Sequence, residues 1–148
     1  MSLPLLSQHR RVGIDSNVFI YLFEGMGANA DAAGALLDAI AAGEGEGVVT
    51  TLAIAEVGSG PARGGDLAMV ERYADELSSL EGVSVVPLDT SVAVEAALIR
   101  GSTAMTLADA VHLATARSAG ATAFVTNDRR ISMANGLTVA YLDELLSP

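Results

Sequence analysis

The sequence predicts an α/β fold of three layers, α/β/α, built on a central parallel sheet of four to five strands. Short strand-like segments alternate with longer helical ones along the whole chain. These strand segments are β-branched and apolar on both faces, as strands covered by helices on each side must be. No internal repeat, low-complexity tract or linker interrupts the alternation, so a single domain spanning residues 1–148 is expected. At this length a chain buries about two-thirds of the surface its unfolded form exposes.

Taken in order, RRVGID reads as the first strand and SNVFIYLFEG as a helix, which Ser16 or Asn17 can cap before an apolar face. The segment DAAGALLDAIAAGEGEG is an amphipathic, alanine-rich helix closed by glycines. GVVTT is the second strand, with Thr51 placed to cap the helix LAIAEVGSG; GPARGG reads as a loop. The helix DLAMVERYADELSSL then leads to the third strand, VSVVPL. DTSVAVEAALIRG and TLADAVHLATARSAG are two further helices, ATAFVTN is the fourth strand and LTVAYL a fifth.

Composition narrows the function classes. Half of the chain is apolar, yet no run approaches the roughly 18 residues of a spanning helix. The apolar patch in MSLPLLSQHRR precedes its arginines, the wrong order for a secretory signal. No cysteine is present, which excludes disulfides and thiolate metal sites, and a cytoplasmic address is expected. The formal charge is −10, and all eight basic residues are arginine. Such a balance speaks against binding nucleic acid through a broad basic face, and leaves room for a cation or a basic partner. Few aromatics remain for stacking bases.

Most of the acids lie in polar surroundings, but four do not. Asp15 ends the strand VGID, Glu56 sits in LAIAEV, Asp109 in TLADAVHLA, and Asp128 ends AFVTND. Carboxylates in apolar runs are costly unless something neutralises them. Asp15 can be read as a helix cap and Asp128 as a turn residue; Asp109 stands three residues after Thr106, at capping-box spacing. Glu56 lies inside a helix, where no cap role is open to it. In a parallel α/β sheet ligands bind beyond the carboxyl ends of the strands, and all four acids can reach that end. With no lysine to join them they would repel one another, a conflict that a hard cation such as Mg2+ or Mn2+ resolves.

Together IDSNVFIYLFE, TTLAIAEV and TLADAVHLATARSAGATAFVTNDRRI resemble a PIN domain, in particular the small single-domain VapC-like toxin ribonucleases. The resemblance runs from the first strand to the tail. It implies a PIN-like sheet and a Mg2+- or Mn2+-dependent cut in single-stranded or structured RNA. Asp15, Glu56, Asp109 and Asp128 match the family's acidic quartet, and Asn17 and Thr126 match polar positions bordering its site. The chain departs from the pattern in carrying few basic residues, which bears on RNA affinity more than on chemistry.

On this reading Asp15 and Asp109 are the principal metal ligands, while Glu56 and Asp128 orient metal-bound water or hold a second ion. Ser16, Asn17, Thr126 and Asn127 supply hydrogen bonds to water or phosphate. Arg129 and Arg130 are phosphate contacts or merely solvated, and His112, one turn after Asp109, is a packed or helix-surface histidine. The resemblance further implies an antitoxin partner and a homodimer, with FIYLFEGM and AAGALLDAI as the walls of an antitoxin groove or as ordinary core. A receiver-like phosphoacceptor would need a lysine, and a haloacid-dehalogenase-like phosphatase would read DxD where this chain reads DSN. A non-catalytic metal- or RNA-binding module and a housekeeping RNA-processing nuclease are the alternatives.

Overall fold

A computed structural model describes residues 2–132 and 136–147. Its sheet has the order β3-β2-β1-β4-β5, and every described pairing is parallel. The strands are β1 (Arg11–Ile14), β2 (Glu46–Thr50), β3 (Val83–Val86), β4 (Ala123–Thr126) and β5 (Thr138–Tyr141). Around them lie α1 (Pro4–Gln8), α2 (Ser16–Glu24), α3 (Ala28–Ala41), α4 (Leu52–Arg63), α5 (Leu67–Ser78), α6 (Thr90–Ser102) and α7 (Leu107–Ser118).

Two cores form because alternate strand residues face opposite ways. Val12, Ile14, Val49, Ala123 and Val125 pack with residues of α2, α3, α4 and α5. Phe124, between Ala123 and Val125, belongs to the other core, with α6 and α7. The three-layer parallel architecture expected from the sequence is thus the one observed. Gly13 lets α7 lie close against β1: a Cβ there would collide with the Ala116 methyl and come within 3.0 Å of the Phe124 ring.

Local chemistry sets the helix limits. Asp15, Asp66, Asp89 and Thr106 each accept a backbone N–H at the start of α2, α5, α6 and α7. Gly25, with φ of 72°, closes α2 in the left-handed region that disfavours side chains.

The structure corrects two details of the sequence reading, adds a helix and decides one alternative that was left open. The apolar patch before the first strand is the short helix α1, whose Leu6 is buried. GPARGG is not all loop, because α4 continues through Pro61 to Arg63 before Gly65, at φ 74°, turns the chain. Thr51 makes no side-chain cap, since its backbone is already helical; the Thr50 hydroxyl instead accepts the Leu52 N–H at 3.2 Å. AAGALLDAI is core, with Ala32, Ala33, Leu36 and Ile40 buried. The groove beside FIYLFEGM therefore has α5 as its far wall. It encloses about 550 Å3 between Leu22 and Phe23 on one side and Met69, Tyr73 and Leu80 on the other. Phe23 and Tyr73 stack there, with ring centroids 4.6 Å apart.

The close approach of α7 to β1 gives a direct test. Gly13→Ala should destabilise the protein by about 1–3 kcal/mol, the range for overpacking a filled interior. A urea midpoint equal to that of the parent protein would mean that β1 and α7 are not packed this closely.

Candidate active site

The order of the strands fixes where the site lies. From β1 the chain crosses to β2 through α2 and α3; from β3 it returns to β4 through α6 and α7, on the other face. The central neighbours β1 and β4 therefore bound the crevice at which an open α/β sheet binds its ligands. Asp15 directly follows β1, and Thr126 ends β4 at its side.

Asp15 is only 5% exposed and has several hydrogen-bond donors around it. Its Oδ1 accepts the Ser16 N–H at 2.7 Å, and its Oδ2 accepts the Thr126 hydroxyl at 2.7 Å. Thr126 in turn accepts from the Asn17 amide at 3.3 Å and from the Asp128 N–H at 3.0 Å, which fills its hydrogen-bonding capacity. Burial pushes the Asp15 carboxyl above its ordinary range, although His112, Thr126 and the Ser16 N–H pull the other way and Asp109 adds repulsion.

His112 stands in the middle of the acids. It is buried, with Nε2 at 2.5 Å from Glu56 Oε1 and 3.6 Å from Asp15 Oδ1. Burial pulls the imidazole down, but the Glu56 hydrogen bond and the charges of Asp15, Glu56 and Asp109 outweigh it and raise its pKa. Partial burial pushes Glu56 up, yet the hydrogen bond and charge of His112 leave it below the ordinary carboxylate range. Both shifts favour the charged forms of the pair.

Asp109 lies in the first turn of α7, where its N–H bonds the Thr106 hydroxyl at 3.2 Å. That is half of a capping box, and among the described residues nothing donates to the Asp109 carboxylate. Its charge acts on Asp15, His112 and Arg130, which places it within the same field. Asp128 is a turn residue as well as a site acid. Its carboxylate accepts the Arg130 N–H at 3.0 Å and the guanidinium at 2.6 to 3.1 Å, and the Arg130 hydrogen bonds hold it below the ordinary range.

One expectation therefore changes. The acids are not four unpaired carboxylates, because His112 compensates Glu56 and Arg130 compensates Asp128. Asn127 and Arg129 also reach the tail: Asn127 Oδ1 accepts the Asp143 N–H at 3.3 Å, and Arg129 pairs with Asp143 at 2.7 Å and lies over the Tyr141 ring. Sequence reasoning kept His112 apart from the acids because its partner Glu56 is 56 residues away. The one available signal was a histidine one helical turn after Asp109.

No group of three His, Asp or Glu side chains among the described residues is disposed as a ready metal site. A hard cation does not require one, since Mg2+ keeps several waters and commonly takes one or two carboxylates plus substrate oxygens. Asp15 and Asp109 fit that chemistry: two carboxylates, one buried and repelled by the other.

Comparison with known proteins identifies the family and the fold. The model of the PIN domain family matches residues 12–137. The chain belongs to the PIN-domain family, whose members are generally nucleases. Solved structures share the fold at low identity. A chain of a toxin–antitoxin complex from Klebsiella pneumoniae superposes with a TM-score of 0.65 and 18% identity, over 89% of this chain and 97% of that one. FitAB bound to a DNA fragment gives 0.67 and 20%, over 90% and 95%. DNA-bound VapBC from Salmonella typhimurium gives 0.60 and 17%, over 90% and 98%. No curated protein matches the PIN chain by sequence.

The His112–Glu56 contact is testable by a double-mutant cycle. His112→Ala and Glu56→Gln should each destabilise the protein in the presence of EDTA, with a coupling of about 1 kcal/mol or more, as expected for residues in direct contact. Additive effects would mean that the two side chains do not interact in solution.

Proposed function

We propose that this PIN protein, acting as one domain, is a divalent-metal-dependent endoribonuclease and the cytoplasmic toxin of a toxin–antitoxin pair. The convergence of Asp15, Asp109, Glu56 and Asp128 on the β1–β4 crevice of a PIN chain carries the reading. RNA is the substrate, and Mg2+ or Mn2+ is the cofactor.

The residues divide the work. Asp15 and Asp109 would hold the cation, and Glu56 and Asp128 would complete its surroundings once released from His112 and Arg130. When bound, the ion supplies a Lewis acid for the phosphate and an acidified water. Ser16 and Thr126 keep the Asp15 carboxylate aimed through their hydrogen bonds. Asn17, bonded to both Thr126 and the Asn127 backbone, fixes the crevice between α2 and β4. His112 holds Glu56 in place and offsets negative charge where an anionic substrate must approach.

An antitoxin as partner is supported by the groove between α2 and α5, where stacked Phe23 and Tyr73 offer an apolar anchor site with Arg72 and Glu76 at its edge. The neighbouring folds from complexes described as toxin–antitoxin assemblies are consistent with the same role.

Asp15→Asn and Asp109→Asn should each reduce cleavage of labelled RNA by about 100-fold or more while the circular dichroism spectrum is retained. EDTA should abolish cleavage, and excess Mg2+ should restore it. Cleavage that survives both substitutions or chelation would refute the metal assignment, and metal binding with no cleavage of total cellular RNA would favour a binding module. Where a small protein encoded beside the gene co-purifies with the parent, Tyr73→Glu should prevent that while leaving cleavage unchanged; retained co-purification would remove the α2–α5 groove from the proposal.

A further inference from the structure

A second cavity, of about 1170 Å3, opens beside the acidic cluster and shares Asp109 with it. Its walls are the turn joining α6 to α7 and the segment after β4, and among the residues lining it are Thr103, Met105, Thr106, Arg117 and Arg130. We infer that this groove holds the RNA strand on one side of the cut, with Arg117 and Arg130 as its phosphate contacts. The inference rests on the ribonuclease reading and adds to it where the substrate runs and which residues grip it.

The remaining polar groups leave the arginines as the recognisers. Thr103 donates to the Ile99 carbonyl and accepts the Met105 N–H, and the Thr106 hydroxyl caps α7, so both hydroxyls serve their own backbone. Of the other arginines, Arg100 lies at the edge of the groove, where its Nε–H donates to the Met105 carbonyl at 3.4 Å, and four more are placed elsewhere. Arg10 and Arg11 lie at the amino end of β1 beside Glu46, Arg72 borders the α2–α5 groove, and Arg129 is bound to the tail. Within a chain of charge −10, the groove carries two guanidinium groups against one carboxylate along its lining. That is a place where a polyanion can lie without a broad basic face.

Both arginines are held in a form that a phosphate can replace. Arg117 makes a 3.2 Å contact with Glu95, and Arg130 forks onto Asp128; their side chains are 47% and 78% exposed. Phosphate oxygens offer guanidinium the same paired geometry as a carboxylate, so the exchange needs little movement of the arginine head. Asp109 and Arg117 stand eight residues apart on α7, about 12 Å along its axis at 1.5 Å per residue. That span reaches beyond a single nucleotide. Met105, Ile131 and Leu137 give the groove an apolar floor for ribose and base. The exchange at Arg130 has a second effect: a phosphate that draws it away releases Asp128, and the substrate thereby frees the fourth carboxylate of the site.

The test measures binding of a fluorescein-labelled 12-nucleotide single-stranded RNA in Mg2+, by anisotropy, in an Asp15→Asn background that is silent in cleavage. R117Q and R130Q should each weaken binding about five-fold and flatten its salt dependence by roughly the slope of one phosphate contact, about 0.7 for a single strand. R117K should retain most of the affinity. E95Q should tighten binding, since it releases Arg117 without removing a positive charge; a merely structural pair would give losses on both sides. In the otherwise unmodified chain, R117Q should raise KM and leave kcat nearly unchanged. Parental affinity and salt slope in both arginine variants, with the parent binding RNA, would overturn the groove and leave the nuclease reading intact. A parent that neither binds nor cleaves any RNA would overturn the nuclease reading and the groove with it.

Discussion

A carboxylate buried at the junction of β1 and β4 is the constraint around which this end of the molecule is organised. Asp15 cannot be desolvated without compensation, and each compensating group arrives from a different element. Ser16 and Asn17 come from the start of α2, Thr126 from the end of β4, and His112 from the second turn of α7. Glu56 of α4 joins through the same imidazole. The crevice is therefore not an opening left by the fold. It is the place where a first crossover, a returning strand and two helices are tied together by one charge.

That tying explains why the acids can stand together before any cation arrives. His112 and Arg130 each neutralise one of them, so the local excess of negative charge falls to Asp15 and Asp109. The two that remain are the ones whose charges act on each other. A hard cation entering there would gain from both and would loosen only the longer, 3.6 Å approach of His112 to Asp15. Engaging Glu56 or Asp128 costs a pair, and that cost falls when a substrate phosphate replaces a carboxylate at Arg130. On the proposed reading, metal and polyanion would then favour one another's binding through groups of the chain itself.

Sequence reading reached the layers, the strand alternation and the neighbourhood of the acids because these depend on local pattern: apolar strands, capped helices and strand ends. Its misses were relations between distant residues. Nothing in LADAVHLA announces that His112 meets a glutamate of another helix, since spacing along one helix carries no information about α4. Arg129 and Arg130 are neighbours in sequence with the same chemistry, yet the turn at Asp128 sends one to the tail and the other back onto the site. The sequence left AAGALLDAI open between groove wall and core, because an alanine-rich helix looks equally apolar in either place. Pro61 misled for a different reason. A proline near the end of a helix removes one hydrogen bond in an exposed turn, which α4 tolerates.

Net charge is a poor guide to what such a chain can bind, because charge acts over short range. At physiological ionic strength the field of an exposed charge is largely screened beyond about 8 Å, so acids on α3 or α5 contribute little at the β1–β4 crevice. What a strand of RNA would meet is the local set: two mutually repelling carboxylates suited to a cation, an imidazolium beneath them, and two guanidinium groups beyond. Several of the outlying acids are themselves engaged, Glu46 by Arg11 and Glu76 by Arg72. On the ribonuclease reading, such a chain would attract polyanions weakly from a distance and admit them where the geometry of the crevice is met, which would favour selection among RNAs over general affinity for them.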